Sequence, residues 1–288
     1  MLGYAVMDFL EGHGVVARGP IEVVKERPWS LVAKVPTACG LLWFKENRGQ
    51  TLYEAPLLLA LARWAPRRVL EVVAIDAGRG WSVTRDGGPT LREMDAEPDL
   101  ARWERMLADH ADFQRFLGVH AQELLSLGVP DQRPSLLPQL LDTFTLPPAV
   151  ATYRPVLKQL CEELAASPVP LSLQHDDLHD ANVFADGRVF DWGDSSVSHP
   201  FGVLLVSLRA AAQRFGDASV VPRLRDAYLE PWTSLAPRAR LLREVELAVQ
   251  VSKVGRALSW RRAVAGSTPQ QYAPWGETAQ YWLQELLK

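Results

Sequence analysis

Cysteine is scarce in this sequence, since only Cys39 and Cys161 occur in 288 residues. Two cysteines exclude a disulfide-stabilised scaffold and a four-cysteine zinc site. The same scarcity is typical of a protein in a reducing compartment, so we expect a cytoplasmic location. The first residues contain Asp8 and Glu11 and no basic segment, and they therefore do not resemble a secretory signal.

Long apolar runs and a strong charge imbalance are missing as well. The longest apolar run, residues 55–62, is far shorter than the roughly 20 residues that a membrane-spanning helix needs. The formal net charge is −3 and the pI is about 6.1, which gives no general attraction to nucleic acid or to an anionic membrane. We therefore expect no nucleic-acid partner, no membrane partner, and a monomer or a weak homodimer.

The remaining composition is that of a folded protein, with 48% hydrophobic and 23% charged residues. The first part of the chain is rich in strand patterns. Short β-branched or aromatic runs cover residues 21–24, 30–37, 41–45, 69–75 and 81–84. Between the third and fourth runs we expect a helix with Thr51 as its N-cap, where Glu54 would complete a capping box.

Beyond the break at Asp86-Gly87-Gly88-Pro89 the patterns become helical. Asp99 is expected to cap a helix that continues to Leu127. Further helices are expected near residues 149–166, 200–215, 238–264 and 276–287. We therefore predict an α+β fold with two lobes. The small sheet-rich N-terminal lobe would span residues 1–86, and the larger, mainly helical C-terminal lobe residues 87–288.

The densest polar segment is 174–182, which reads QHDDLHDAN. The Asp186-Gly187 step between apolar residues predicts a β-hairpin over 183–190, and Asp191-Trp192-Gly193-Asp194 follows. Six aspartates thus lie between 176 and 194. So much negative charge is costly unless a cation or solvent compensates it.

The spacing in this segment is that of a phosphoryl-transfer site. His175-x-Asp177-Leu178-x-x-x-Asn182 matches the catalytic-loop pattern of protein kinases, and Asp191-Trp192-Gly193 stands in the place of D-F-G. In this chemistry a carboxylate such as Asp177 accepts the proton of an attacking hydroxyl. Asn182 and Asp191 offer the oxygen ligands that Mg²⁺ prefers.

The pattern H-x-D-x-H-x-x-N followed by D-W resembles the aminoglycoside phosphotransferase family and its choline-kinase-like relatives. This resemblance implies a protein-kinase-like fold and transfer of the γ-phosphoryl of ATP, with Mg²⁺, to a hydroxyl of a small molecule. It implies that Asp177 is the catalytic base, that Asn182 and Asp191 bind the metal, and that His179 shapes the loop.

The resemblance extends to the N-terminal lobe. Lys45, which ends the strand pattern 41–45, resembles the lysine that contacts the α- and β-phosphates, and Glu54 resembles its ion-pair partner. Thr84, Arg85 and Asp86 would form the hinge whose backbone meets the adenine. The choice between ATP and GTP stays open.

The sequence departs from the family pattern in three places. It contains no G-x-G-x-x-G loop, and Ser198-His199-Pro200-Phe201 follows the D-W motif where the family tends to have an Asp-Pro step. Position 176 is Asp, where the family commonly has Gly. This extra carboxylate leaves open whether Asp176 or Asp177 is the base, although the five-residue step to Asn182 favours Asp177.

Other interpretations of the same residues remain open. The acidic segment is compatible with a solvated loop, and its intact motif is compatible with a nucleotide-binding pseudokinase that acts as a binding module. His175 and His179 stand four residues apart, as in a metal-dependent phosphohydrolase. Lys45 is compatible with a solvated strand edge, and the capping box alone would explain Glu54.

The charges are unevenly distributed along the chain. Residues 200–288 contain 12 basic and 7 acidic residues, whereas residues 1–199 contain 19 basic and 27 acidic ones. The resemblance implies that the acceptor binds in this helical region, and a basic region there disfavours a polycationic aminoglycoside and leaves room for a neutral or anionic hydroxylated metabolite or a macrolide-like drug. Such arginine-rich helices are also compatible with an ordinary solvated face.

Overall fold

The computed structural model describes residues 2–288, which divide into two compact units. The first comprises the chain up to Gly88 together with Arg188–Gly193 and Arg262–Trp275. The second comprises Pro89–Gly187, Asp194–Arg261 and Gly276–Lys288. The boundary expected at Asp86 stays a prediction, and the two short returns of the chain into the first unit have no counterpart in the sequence patterns.

The first unit is built on a five-stranded antiparallel sheet of strand order β1-β2-β3-β5-β4. Its main elements are α1 Leu2–Glu11, β1 Glu22–Arg27, β2 Ser30–Thr37, β3 Gly40–Asn47, α2 Glu54–Trp64, β4 Val72–Asp76 and β5 Trp81–Arg85. All five strand expectations are confirmed. Helix α1 lies in a part of the chain where the sequence reasoning expected no helix.

Alternating side chains place the core on one face of this sheet. Leu31, Ala33 and Val35 of β2 are buried there, and so are Leu42 and Phe44 of β3. Because successive strand residues point to opposite faces, Lys45 lies on the face opposite Phe44. Helix α1 covers the apolar face. The sheet pattern thus directs the lysine away from the core that holds the strand in place.

The start of α2 differs from the expectation. The helix begins at Glu54, its N-cap residue is Tyr53, and no side chain caps it. The Thr51 hydroxyl donates instead to the carbonyl groups of Trp29 and Arg48. The predicted capping box is therefore wrong, and it does not explain the presence of a glutamate at position 54.

The second unit is mainly helical. Its elements are α3 Leu91–Met94, α4 Leu100–Leu117, α5 Ala121–Ser126, α6 Leu137–Leu141, α7 Pro148–Ala165, β6 Ser172–Gln174, β7 Ser196–Ser198, α8 Leu204–Phe215, α9 Val221–Leu229, α10 Arg238–Ala263 and α12 Thr278–Glu285. The last two residues of α10 and the short α11, Pro269–Tyr272, belong to the first unit.

Asp99 caps α4 as expected, because its carboxylate accepts a hydrogen bond from the Arg102 amide. The helix ends at Leu117 and not at Leu127, since residues 118–120 form a 3₁₀ turn before α5.

The hairpin expected over 183–190 is not formed. Phe184 bridges Thr90 and Val189 bridges Val69, so the two arms pair with other segments and not with each other. The Asp186-Gly187 turn is present, with Gly187 in the left-handed region at a φ of 87°. The predicted turn is therefore confirmed, but the segments that pair with its two arms lie far away in sequence.

Among residues 2–288, no helix is both long enough and apolar enough to cross a bilayer.

Candidate functional site

Three residues that the motifs singled out meet around one ammonium group in the first unit. The Nζ atom of Lys45 lies 2.7 Å from Oε1 of Glu54 and 2.6 Å from Oδ1 of Asp191. The expected Lys45–Glu54 ion pair is present, and the Lys45 side chain is only 20% exposed. Sequence reasoning did not predict that Lys45 also contacts Asp191, 146 residues further along the chain.

Glu54 is held by more than the lysine. Its carboxylate accepts from Nδ2 of Asn47 at 2.6 Å and from the amide of Trp192 at 3.0 Å. Burial by itself lowers the pKa of Lys45, but the carboxylates of Asp191 and Glu54 outweigh it and raise this pKa above its ordinary value. Lys45 therefore keeps its positive charge, as a phosphate-binding lysine must.

Two aspartates of the motif region adopt an unusual backbone conformation. Asp176 has a φ of 65° and Asp191 a φ of 63°, and within residues 2–288 they are the only non-glycine residues with positive φ. This region is costly for a side chain larger than glycine, and aspartate tolerates it better than most. Strain of this kind concentrates at functional sites, which agrees with the position of both residues in the predicted motifs.

Asp177 and Asn182 form a second group, which lies in the second unit. The Nδ2 atom of Asn182 donates to the backbone oxygen of Asp177 at 2.9 Å and lies 3.4 Å from its Oδ2. His175 and His179 each accept a backbone amide through Nδ1, from Asp177 and Ala181 respectively. Both histidines therefore shape the loop, as the sequence suggested for His179.

The Asp177 carboxylate faces positive charge. Its Oδ1 lies 3.4 Å from Nη2 of Arg256, and its Oδ2 lies 3.7 Å from Nε2 of His179. Burial by itself raises the pKa of Asp177, but His179 and Arg256 outweigh it and hold the pKa well below its usual range. This carboxylate is therefore ionised at neutral pH and able to accept a hydrogen bond from a hydroxyl.

Asp176 has different surroundings from its neighbour. It is 2% exposed and accepts hydrogen bonds from Ser196, at 2.8 Å, and from the Gln174 amide. Burial raises the pKa of Asp176 to about 6. Because the Asp176 carboxylate is buried and engaged by Ser196 and Gln174, Asp177 remains the better candidate for the base.

Much of the negative charge noted in the sequence is compensated by basic side chains that the motifs did not reveal. Asp180 is 3% exposed and pairs with Arg92 at 2.5 Å and with Arg214 at 3.3 Å. Arg256 lies 3.3 Å from Asp194 as well as near Asp177. These arginines lie in helices tens of residues away from the motif, and no sequence signal marked them.

The three predicted hinge residues lie at the end of β5. Thr84 is buried and pairs with Trp43 and Val72 in the sheet. The amides of Arg85 and Asp86 already donate to the carbonyl groups of Glu71 and Leu41. Their side chains contact Glu71 and the indole nitrogen of Trp43. Contact of this segment with adenine stays a prediction.

The chemistry of the proposed metal ligands fits Mg²⁺. Asp191 offers carboxylate oxygens, and Asn182, whose amide nitrogen is engaged by Asp177, offers its amide oxygen. Hard oxygen donors are the ligands that this ion selects. Within residues 2–288, no group of three or more histidine, cysteine, aspartate or glutamate side chains is arranged to hold a metal ion. His110 and His175 are in edge-to-face ring contact, with their ring centroids 6.3 Å apart.

The arginine cluster of residues 223–243 is compensated by acidic neighbours. Each of its members pairs with a carboxylate: Arg223 with Glu104, Arg225 and Arg238 with Asp226, Arg240 with Glu244, and Arg243 with Glu163 and Glu246. This cluster therefore forms a network of intramolecular ion pairs. Its charge gives no argument about the acceptor.

Comparison with a family model described as "Phosphotransferase enzyme family" gives a match over residues 4–242. A search of curated protein sequences gives no match. The family match spans both predicted lobes and includes the whole motif region from 174 to 194.

Solved structures of similar fold include three kinds of phosphotransferase. Choline kinase LicA from Streptococcus pneumoniae has a TM-score of 0.62 at 13% identity, covering 99% of each chain. A choline/ethanolamine kinase family protein from Mesorhizobium loti has 0.60 at 19%, covering 94% of this chain and 89% of its own. A GDP and kanamycin complex of APH(2″)-IIia has 0.59 at 17%, covering 99% and 98%. The expectation of a protein-kinase-like α+β fold is confirmed.

Proposed function

Because the chain belongs to the phosphotransferase enzyme family, we propose that it moves the γ-phosphoryl group of ATP to a hydroxyl group of a small molecule. The family membership establishes that the chain is a phosphotransferase. The identity of the nucleotide, the use of a metal ion and the roles of individual residues are proposed.

The Lys45–Glu54–Asp191 group is the observation that carries this proposal. A lysine held between a carboxylate nine residues away and a second one 146 residues away is positioned in one place, which suits a group that binds an anionic ligand. Glu54 orients the ammonium group, and the ammonium group compensates the phosphates. A lysine on a solvated strand edge would not be paired twice in this way.

Asp177 takes the role of the base. Its carboxylate orients the acceptor hydroxyl and receives the proton as the oxygen attacks phosphorus. Positioning by hydrogen bonds and compensation of charge supply most of the acceleration in phosphoryl transfer, since little covalent chemistry is left to the protein. The Asp177 carboxylate lies 3.4 Å from Nδ2 of Asn182 and 3.4 Å from Nη2 of Arg256.

Asn182 and Asp191 are the proposed Mg²⁺ ligands. When bound, the ion compensates charge on the nucleotide phosphates. The Asp191 side chain is 39% exposed and directs Oδ1 at Lys45, and we propose that its carboxylate also contacts the metal ion. Nucleotide use is supported by the fold relative solved with GDP, which also keeps GTP in view as a phosphoryl donor.

The acceptor is proposed only as a small hydroxylated molecule. The fold relatives include a choline kinase and a protein solved with kanamycin, two chemically different acceptor classes. The arginine pairs described above remove the argument against a cationic acceptor. Aminoglycosides, macrolides, amino alcohols and sugars are therefore all to be tested.

A nucleotide-binding pseudokinase is the second candidate. It would share the Lys45 group and bind nucleotide without turnover. The metal-dependent phosphohydrolase is a weaker alternative, because the described residues supply no metal-binding histidine cluster. These alternatives differ from the proposal in one measurable quantity, acceptor-dependent release of ADP.

The test is a screen for ADP release from ATP and Mg²⁺ over the four acceptor classes. We expect one acceptor to stimulate release, and Asp177→Asn to reduce it by a factor of about 10² to 10⁴, since it removes the base but keeps the shape. Asp176→Asn is the matched control, because Asp176 points into the interior and should retain most of the activity. Nucleotide binding without release for any acceptor would favour the pseudokinase.

A further inference from the structure

Arg256 lies beside the carboxylate that the proposed reaction depends on. It belongs to α10 and is only 5% exposed. Its Nη2 atom lies 3.4 Å from Oδ1 of Asp177, and its Nη1 atom lies 3.3 Å from Oδ2 of Asp194. One planar guanidinium group thus contacts two carboxylates from different segments of the chain, through two different nitrogen atoms, whereas lysine has a single nitrogen to share between two partners.

The packing of α10 brings Arg256 to this position. Gly202 approaches Ser252 of α10 and Gln174 of β6 so closely that a Cβ atom would overlap both. On α10 itself, a Cβ atom at Gly255 would lie 2.6 Å from Oε1 of Gln132. The absence of a side chain at these two glycines therefore permits the close contact of α10 with Gly202 and with Gln132.

The guanidinium group is also supported from behind. Its central carbon lies 5.9 Å from the ring centroid of Trp282 in α12. The face of an aromatic ring attracts a cation and limits its movement. The guanidinium group is thus in contact with one aromatic ring and two carboxylates.

We infer that Arg256 is a positioning residue, which holds the Asp177 carboxylate in its working orientation and ties the catalytic loop to Asp194. The inference rests on the proposed function in one respect, namely that Asp177 is the base. Arg256 contacts Asp177 and Asp194 together. Its loss would leave two carboxylates near each other without their shared counterion, and repulsion would move them apart.

The test compares Arg256→Ala and Arg256→Lys with Arg209→Ala. Arg209 is the matched control because its guanidinium carbon lies 4.9 Å from the same Trp282 ring, while its charge pairs with Glu285. Arg256→Lys keeps the buried charge, so it provides a folded protein if the alanine variant does not fold. Two quantities are measured: the kinetics of ADP release and amide hydrogen exchange over residues 175–182.

For Arg256→Ala we expect kcat to fall about 100-fold, the cost of a displacement of about 1 Å at a reacting group. The KM for ATP should stay within about twofold, because the contact is made to the base and not to the nucleotide. Arg256→Lys should show a smaller loss of kcat, and added guanidinium ion should partly restore the alanine variant. Exchange over 175–182 should be faster in Arg256→Ala and unchanged in Arg209→Ala.

The outcomes separate the two proposals. If the wild type releases no ADP with any acceptor, the proposed function fails, and the exchange data still decide whether Arg256 holds the loop. If the wild type is active but Arg256→Ala and Arg256→Lys match Arg209→Ala in kcat and in exchange, the inference is overturned while the function stands. The inference is also overturned if Arg256→Ala has a higher KM for ATP and a lower stability but an unchanged kcat.

Discussion

At the scale of single residues, neighbouring aspartates in the same loop have opposite electrostatic properties. Asp177 faces Arg256 and His179 and is held ionised, whereas Asp176 is enclosed by Ser196 and Gln174 and has a pKa of about 6. The difference arises because the left-handed backbone at Asp176 turns its side chain inward. Two carboxylates that look interchangeable in the sequence therefore have different surroundings, and Asp177 is the one that we propose as the base.

Replacement of Asp176 by Asn should change the dependence of stability on pH. The pKa of Asp176 rises from 3.8 in the unfolded chain to about 6 in the folded one. The wild type is therefore most stable below pH 4 with respect to this group, and loses stability as pH rises through 6. The loss amounts to at most about 3 kcal/mol, from 1.36 kcal/mol per pKa unit. Asn removes the titration and tolerates the left-handed conformation.

Urea unfolding of both proteins at pH 4.5 and pH 7.5 measures this effect. We expect the stability of Asp176→Asn relative to wild type to increase between the two pH values. Asp76→Asn is the control, because Arg79 lowers the pKa of Asp76 and its removal should not produce a gain at the higher pH. A relative stability that does not change with pH would contradict the assignment of a raised pKa to Asp176.

At the scale of elements, close approach of backbones positions the functional groups. Helix α10 lies against β6 and the segment after β7 because Gly202 presents no side chain there. Strand β3 holds Lys45 because Phe44 and Leu42 anchor its other face in the core. Both elements use ordinary packing to place a polar residue where its partners lie.

Gly202→Ala should therefore destabilise the protein. The added methyl group would overlap the Ser252 hydroxyl and the Gln174 amide, both in a buried environment, and overpacking of this kind costs about 1–3 kcal/mol. Gly3→Ala is the matched control, since a Cβ atom there meets open space and alanine favours a helix. Urea unfolding gives both values, and equal stability of the two variants would show that α10 is free to shift.

At the scale of the whole molecule, each unit contains a cation that lies between two carboxylates. The first unit contains Lys45 between Glu54 and Asp191, and the second contains Arg256 between Asp177 and Asp194. The net charge of −3 conceals these local arrangements. A nucleotide with Mg²⁺ adds charges of both signs, so its binding should depend on both components together.

Mg-ATP should raise the apparent Tm. A ligand at 100 times its Kd stabilises by about 2.7 kcal/mol, which for a chain of this size corresponds to roughly 5–10 °C. Asp191→Ala should abolish the dependence of this shift on Mg²⁺, because the proposed metal ligand is lost. Asp76→Ala, which changes the last residue of β4 in the same unit, should behave as wild type. An equal shift with and without Mg²⁺ in both wild type and Asp191→Ala would refute the metal assignment.

Local features of this protein followed from the sequence by itself. The five strands, the Asp99 cap of α4 and the Asp186-Gly187 turn depend on side-chain alternation, capping and backbone preference within a few residues. The motif spacing from His175 to Asn182 and the D-W step identified a phosphotransferase, which the family match confirms. Such patterns are legible because the interactions that specify them span short stretches of chain.

The partners of these groups were decided only by the tertiary structure. The arms of the expected hairpin pair with Thr90 and Val69, and Glu54 binds Lys45 and does not form a capping box with Thr51. Arg256 meets Asp177 across 79 residues. A buried carboxylate pairs with the cation or amide that the fold places within hydrogen-bond distance of it. That choice is made by the packing of helices and glycines far away in sequence, and no local pattern encodes it.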